Sequence, residues 1–441
     1  MQRRLSRIYA LALGIPLLLA LLAACGSGTT GSTSGSSSTP TGSTTIKIAT
    51  DLPVSGKDTS SGKPAENGAH MAVDEANTAN TIPGIKLVFV PKDDVGPSGA
   101  HDPAVGAQNV TSLIGDALVA GIVGPFNSSV AQSEMPIANQ APIALVSPSN
   151  TNQCLTQTGA DIGCTGANNL VPTLRPTGKV TYFRIATTDN HQGPANADYL
   201  FKNEHYKTAY AIDDAETYGI GIANTFSAEW TKLGGTVLGR SSEPGTTTSF
   251  VSLLTQIASK KPDVIYFGGT DATGGTLIRQ QMQQVPALKN TPFAGGDGIV
   301  TANFASTIGL TGGPVFGTVA SSDVTKNPAA ATFVKNYTAT YGPLGAYSAA
   351  GYDCAKILIQ SIKAAIANGA KVPKDSSDAA GAKTFRQAVI DAMQKTDYTG
   401  LTGHHTFDAN GDTTNKIITV QQLATVDGKP DWKVLATITV Q

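Results

Sequence analysis

From Ile46 onward, short apolar runs alternate with longer stretches of helical periodicity, and this alternation constrains the fold more than any other feature of the chain. The strand-like runs are 46–50, 85–90, 117–123, 143–147, 208–212 and 263–267. Helix-like stretches lie at 64–79, 103–115, 128–140, 217–233, 249–260 and 272–284. Strand followed by helix, repeated, predicts parallel sheets with helices on both faces. The pattern pauses over the polar stretch 149–180 and resumes after Phe183, which predicts two doubly wound α/β lobes rather than one long sheet. Pro64, Pro103 and Pro328 each stand where a first helical turn would begin, a position that tolerates proline. Residues 328–395 read as mostly helical, and 404–441 as strands.

The N-terminus carries a second pattern. Arg3, Arg4 and Arg7 precede an apolar run at 8–20, which leads into Leu22-Ala23-Ala24-Cys25. Charge, apolar run and small residues are those of a signal peptide over 1–24. A cysteine directly after the small residues resembles a bacterial lipobox, which implies a lipid on Cys25 and an extracytoplasmic protein anchored to the cell membrane. The next residues, 26–45, are nearly all Gly, Ser and Thr and bury no core, so Cys25 and this stretch form a lipidated tether. Its mean reach is about 25 Å, from roughly 5–6 Å times the square root of its length. Outside the cytoplasm, Cys154 and Cys164, ten apart in a Gly/Asn/Thr-rich loop, are expected to form a disulfide. Cys354 lies in an apolar helical pattern and reads as a small buried hydrophobe.

Composition narrows the function. With 31 Lys+Arg against 32 Asp+Glu, the net charge of -1 argues against a nucleic-acid partner. No nucleophile elbow of the form G-x-S-x-G occurs. The glycine-rich 56–63 departs from a phosphate-binding loop in spacing, and Pro64 replaces the hydroxyl that would hold magnesium. The histidines are scattered, and His404-His405 on a strand would point to opposite faces. Asp408–Asp412 (DANGD) places its glycine wrongly for a calcium loop and reads as a tight turn. His191 is expected to be structural. These exclusions leave a chain expected to be no enzyme, with no cofactor and no metal site.

In parallel sheets, ligands bind beyond the carboxyl ends of the strands. Here those segments are small and polar: DLPVSGKDTSSG, GPFNSS, PSNT, DDAETYG, GGTDATGG and FAGGDG. They suit a cleft for a small polar molecule.

In their order and spacing these segments, together with ENGAHMAVDEAN, VFVPKDD and DNHQGP, resemble the type I periplasmic solute-binding proteins, nearest to the leucine/isoleucine/valine-binding branch that serves ABC importers. The resemblance spans roughly 46–345 and continues more loosely to the end. It implies two lobes joined by a three-crossing hinge, with lobe 1 formed by 46–188 plus 323–410 and lobe 2 by 189–322 plus 411–441. It implies an amino acid held between the lobes. Ser128 matches a hydroxyl that binds the ligand carboxylate at a helix N-terminus. Ser149 and Thr151 match a backbone carbonyl and a threonine hydroxyl facing the ligand. Tyr218 matches an aromatic cover from the second lobe. Asp297 matches the position, usually glutamate, that pairs with the ligand ammonium. Ser61 and Thr270 stand where relatives often carry aromatic residues, which makes the expected pocket more polar. The loop 152–180 reads as an insertion beside the cleft. The implied partners are a small solute and an ABC permease, and the chain is expected to be a monomer. A ligand sensor serving a signalling partner, or a receptor for an amide, urea or small organic acid, fits the same fold.

Overall fold

The computed structural model describes residues 44–440. The expected signal peptide, Cys25 and nearly all of the expected tether lie outside the described residues. The strands are β1 (Thr44–Leu52), β2 (Ile85–Asp93), β3 (Val119–Val123), β4 (Ala144–Ser147), β5 (Tyr182–Arg184), β6 (Thr208–Asp213), β7 (Thr236–Ser242), β8 (Val264–Gly268), β9 (Phe293–Gly295), β10 (Val315–Val319), β11 (Tyr398–Thr399), β12 (His404–His405), β13 (Ile417–Val426) and β14 (Lys429–Thr439). The helices are α1 (Thr59–Thr78), α2 (Pro103–Gly115), α3 (Ser128–Gln140), α4 (Val171–Leu174), α5 (Asp189–Lys202), α6 (Thr217–Lys232), α7 (Val251–Lys260), α8 (Thr276–Met282), α9 (Ala302–Ile308), α10 (Ala331–Tyr341), α11 (Ser348–Ala367) and α12 (Ala379–Met393).

Two sheets carry the fold. The first has the order β2-β1-β3-β4-β5 and is parallel throughout. The second runs β7-β6-β8-β9-β10 in the same winding order, then adds β13 and β14 antiparallel at its edge. The repeated order reverses between β1 and β3, and again between β6 and β8, which creates a crevice at the carboxyl edge of each sheet. Each first-sheet strand serves two cores: Ile46 and Ile48 pack with α1 and α11, while Ala49 faces the cluster of α2 and α3. Helices α1 and α11 approach closely because of glycine. A Cβ at Gly68 would stand 2.0 Å from the Ser348 carbonyl oxygen, and one at Gly351 2.0 Å from that of Ala65. The β13–β14 hairpin closes through Asp427-Gly428, both at positive φ, the pairing a two-residue type I′ turn demands.

The chain passes between the sheets three times: after β5, after β10 and after β12. Backbone and side-chain bonds lace these crossings together. Thr187 N–H donates to Ala320 O (3.2 Å), Thr187 Oγ1 to Ile417 O (2.9 Å), and Thr413 N–H to Arg184 O (3.1 Å). At their centre Arg184 Nε meets Asp412 Oδ1 at 2.7 Å, with side chains 0% and 1% exposed. Thr156 Oγ1 and Gln157 Nε2 donate to the other Asp412 oxygen. Nη1 donates to the carbonyls of Asn150 and Asn152, and Nη2 to Thr156 Oγ1. Every polar atom of the pair therefore has a partner, the condition for burying charge.

Several sequence expectations change in detail. Helix α1 begins at Thr59, so Pro64 lies inside it rather than in its first turn. A short 3₁₀ turn at Gly56–Asp58 feeds directly into the helix and moves its start upstream. Pro103 does open α2, behind an Asp102 cap. The helix expected at 272–284 is shorter, because a wide turn at Asp271–Gly275, with Gly274 at φ 147°, precedes α8. Cys154 and Cys164 are joined in a disulfide, and Cys354 is buried. Asp408–Asp412 forms a turn held by the Asp408 carboxylate, which accepts from the N–H groups of Asn410 and Asp412. His404 is exposed and His405 buried, on opposite faces of β12. No helix of the described residues is long and apolar enough to cross a membrane.

Removing one partner of the central pair strands a buried charge. Asp412→Ala is expected to lower unfolding free energy by about 3–5 kcal/mol, measured by denaturant titration; a loss below about 1 kcal/mol would show that the pair does not brace the hinge.

Candidate functional site

The loops beyond β3 and β4 build the first-lobe side of the seam. Ser147 Oγ donates to Pro125 O (2.6 Å), while Ser149 Oγ (2.8 Å) and Asn150 Nδ2 (2.6 Å) both donate to Phe126 O. Tyr182 Oη donates to Asn150 Oδ1 from below at 2.8 Å. These bonds hold the start of α3 against the loop 149–152. The N-cap of α3 is Asn127, so Ser128, 2% exposed, is the first helical residue and not the cap. The Asn127 side chain makes no cap bond, which leaves the first-turn N–H groups of α3 without a side-chain acceptor. The Thr151 hydroxyl is buried without a partner.

The second-lobe side centres on Asp297, which opens a short 3₁₀ turn directly after β9. Tyr218 Oη (2.8 Å) and Gln192 Nε2 (3.0 Å) donate to its Oδ1. Tyr347 Oη, from the residue preceding α11 in the first lobe, donates to Oδ2 at 2.8 Å. One carboxylate thus accepts from both lobes. Burial raises the Asp297 pKa above the ordinary carboxylate value, against the bonds from Tyr347, Tyr218 and Gln192. Asp189 is fully buried; burial and the charge of Asp297 push its pKa well up, against the nearby Thr151 hydroxyl and Arg184.

Two lobes of one strand order, joined by three crossings, with polar loops meeting at one carboxylate, find their counterpart in known proteins. The family described as periplasmic binding protein matches residues 45–429. The chain belongs to the periplasmic binding protein family. A relative, the Leu/Ile/Val-binding protein BraC3 of Rhizobium johnstonii, is 32% identical over 311 residues, 69% of this chain and 76% of that protein. The leucine-binding protein LivK of Thermotoga maritima superposes with a TM-score of 0.72 at 25% identity, covering 89% of this chain and 99% of that one. The branched-chain amino-acid transporter substrate-binding protein LivJ of Streptococcus pneumoniae, solved with isoleucine, gives 0.69 at 25% identity, covering 90% and 99%.

Within this periplasmic binding protein, Tyr218 and Asp297 are in direct contact, and Ser128, Ser149 and Thr151 share the facing loops. Thr270 is spent elsewhere: its N–H and hydroxyl form a reciprocal cap with Thr273. Ser61, half-buried in the first turn of α1, is not bonded to Asp297. Sequence reasoning did not single out Gln192, Asp189 or Tyr347. The first two lie in DNHQGP, whose Asp-x-x-Gln spacing puts both on one face of the first turns of α5; Tyr347 lies far from any strand end. The disulfide loop borders a cavity of about 640 Å³ with α6, lined by Cys154, Ile162, Leu170, Thr217, Ile220 and Lys232. None of the expected ligand residues lines that cavity, nor does Gln192 or Tyr347.

Further bonds span the seam. His101 Nδ1 lies 2.9 Å from Asp58 Oδ2, and its Nε2 lies 2.8 Å from Glu216 Oε2 at the start of α6. Ser129 Oγ donates to the same Glu216 oxygen (2.9 Å), Thr217 Oγ1 to Gln132 Oε1 (2.7 Å), and Asn152 Nδ2 to Thr217 O (2.6 Å). Burial disfavours the His101 cation, but Asp58 and Glu216 outweigh it and hold the pKa well above 6.5. Stabilisation by this cation is therefore complete below pH 6.5 and is lost as pH rises through the raised folded-state value. His101→Gln is expected to cost about 1.5–3 kcal/mol near pH 6 and clearly less near pH 9. Urea unfolding of both proteins at each pH checks this; a pH-independent gap would contradict a charged His101.

Proposed function

We propose that this protein is the extracytoplasmic, lipid-anchored receptor of an ABC importer, and that it captures an amino acid of branched-chain or related type between its lobes without transforming it. The observation that carries the reading is the Asp297 carboxylate, bonded by Tyr218 from its own lobe and Tyr347 from the other. A carboxylate has about four acceptor sites, so a ligand ammonium can join or displace these donors. In a seam that excludes water the pairing is stronger than on a surface. At the other end of the ligand, Ser128, the first-turn N–H groups of α3 and the Thr151 hydroxyl would receive the carboxylate, as helix N-termini receive anions. Tyr218 covers the ligand, and Ser149 contributes its carbonyl. The names of the relatives support an amino-acid ligand, and the lipobox supports the anchor. Closure on the solute would present one lobe arrangement to the permease.

Thermal-shift screening of the chain lacking its first 25 residues tests the class, against amino acids, amides, urea, polyamines and small organic and aromatic acids. A solute at about 100 times its Kd stabilises by about 2.7 kcal/mol. A shift with an aliphatic amino acid, weakened at least about tenfold by Asp297→Ala because the ammonium loses its partner, is the expected result. Shifts confined to non-amine solutes would remove Asp297 from its role, and binding without ATP-driven uptake would favour a sensor.

The anchor is tested separately. Cys25→Ser is expected to move the protein from the membrane fraction to the soluble extracytoplasmic fraction. Continued retention would point to an uncleaved apolar anchor.

A further inference from the structure

Outside the seam, the first lobe buries three acidic side chains that neither the binding site nor the hinge uses. Asp51 lies at the carboxyl end of β1, Asp94 directly follows β2, and Glu134 sits in the second turn of α3. All three are 0% exposed. An oxygen of each lies within 4.8 Å of an oxygen of both others. Asp51 Oδ1 accepts from Asn109 Nδ2 at 2.9 Å. The other Asp51 oxygen, both oxygens of Asp94 and both of Glu134 have no hydrogen-bond partner. Buried polar atoms are almost always paired, and an unpaired buried carboxylate is among the most costly groups a core can hold.

We infer that Asp51, Asp94 and Glu134 form a binding site for one hard divalent cation, of the calcium, magnesium or manganese class. Oxygens that share such an ion at 2.3–2.6 Å stand at most about 5 Å apart, which matches the observed spacing. The donor set is all oxygen and contains no thiolate or imidazole, which disfavours zinc and copper. Among the described residues no cationic side chain forms an ion pair with the three, although the charges of His101 and Lys92 partly offset those of Asp94 and Asp51. His101 is engaged by Asp58 and Glu216. Gly106 gives Glu134 its room: a Cβ there would stand 2.8 Å from Glu134 Oε1. The competing arrangement is a cluster kept neutral by shared protons, since burial and mutual repulsion push Asp94 and Glu134 well up and Asp51 to about 7. The cation takes one oxygen from each carboxylate and offsets the charge of all three together, whereas a shared proton bridges only one pair. Its position joins the ends of β1 and β2 to α3, at the point where the strand order reverses. The ion would thereby fix the helix whose first residue is Ser128. No short motif announces the site, because the ligands come from three separate segments.

The test uses the full chain, stripped with EDTA and dialysed against calcium, magnesium or manganese chloride alone, with bound metal measured by elemental mass spectrometry. One tightly bound equivalent per chain is expected, with affinity at least about tenfold weaker in Glu134→Gln, since even outer-shell groups around a metal contribute that much. The stability order adds a second readout. In EDTA, Glu134→Gln removes a buried charge and is expected to melt above the wild type; with the cation the order reverses. No bound equivalent in the wild-type chain overturns the site even if the variant fails to fold. Equal binding by wild type and variant, or a variant that melts higher under both conditions, overturns it as well.

Discussion

The buried Arg184–Asp412 pair is the constraint on which the rest of the molecule depends. Arg184 ends the last strand of the first sheet, and Asp412 lies on the third crossing, so one ion pair ties the start and the end of the hinge. The guanidinium also holds the carbonyls of Asn150 and Asn152, and with them the loop that presents Ser149 and Thr151 to the seam. Cutting the pair would loosen the hinge and the binding loop together. Hydrogen bonds to every nitrogen and oxygen of the pair are what make a charge tolerable there.

Above this hinge the fold repeats one solution twice. Each sheet winds in the same order and turns its carboxyl edge, with short polar loops, toward the other lobe. The result is a seam between two preformed surfaces rather than a pocket within one. Asp297 belongs to one surface and is reached by Tyr347 from the other, so on the proposed reading binding there and lobe closure are a single event. Glu216 does the same at the rim, taking His101 and Ser129 from the first lobe. A ligand can favour closure only by the difference in its affinity for the two arrangements. A carboxylate contacted by both lobes supplies such a difference.

Much of this was legible in the sequence, for definite reasons. Parallel strands buried on both faces read as apolar runs, so β1, β3, β4, β6 and β8 stood out, and the small polar residues after them pointed to the seam. Tyr218 and Asp297 lie in such segments and were assigned through the family resemblance those segments carry. The strands β5, β7, β9 and β10 were not resolved: β5 and β9 span only three residues each, and glycine and polar residues break up the apolar runs of β7 and β10. Gln192 and Tyr347 were missed because they approach Asp297 from helix starts outside the strand-end pattern. Thr270 follows a strand as the others do, yet its hydroxyl closes a local cap, a choice made by Gly274 and Thr273 that strand position does not reveal. The acidic trio of Asp51, Asp94 and Glu134 depends on three-dimensional proximity alone.

Whether the solute binds in the seam at Asp297 is decided by a crystal structure of the protein with its solute. It should show the ligand enclosed between the lobes, its amine on the Asp297 carboxylate and its carboxylate against Ser128 and the first turn of α3. A ligand found instead in the cavity between the disulfide loop and α6, with Asp297 still bonded only to Tyr218, Gln192 and Tyr347, would contradict it.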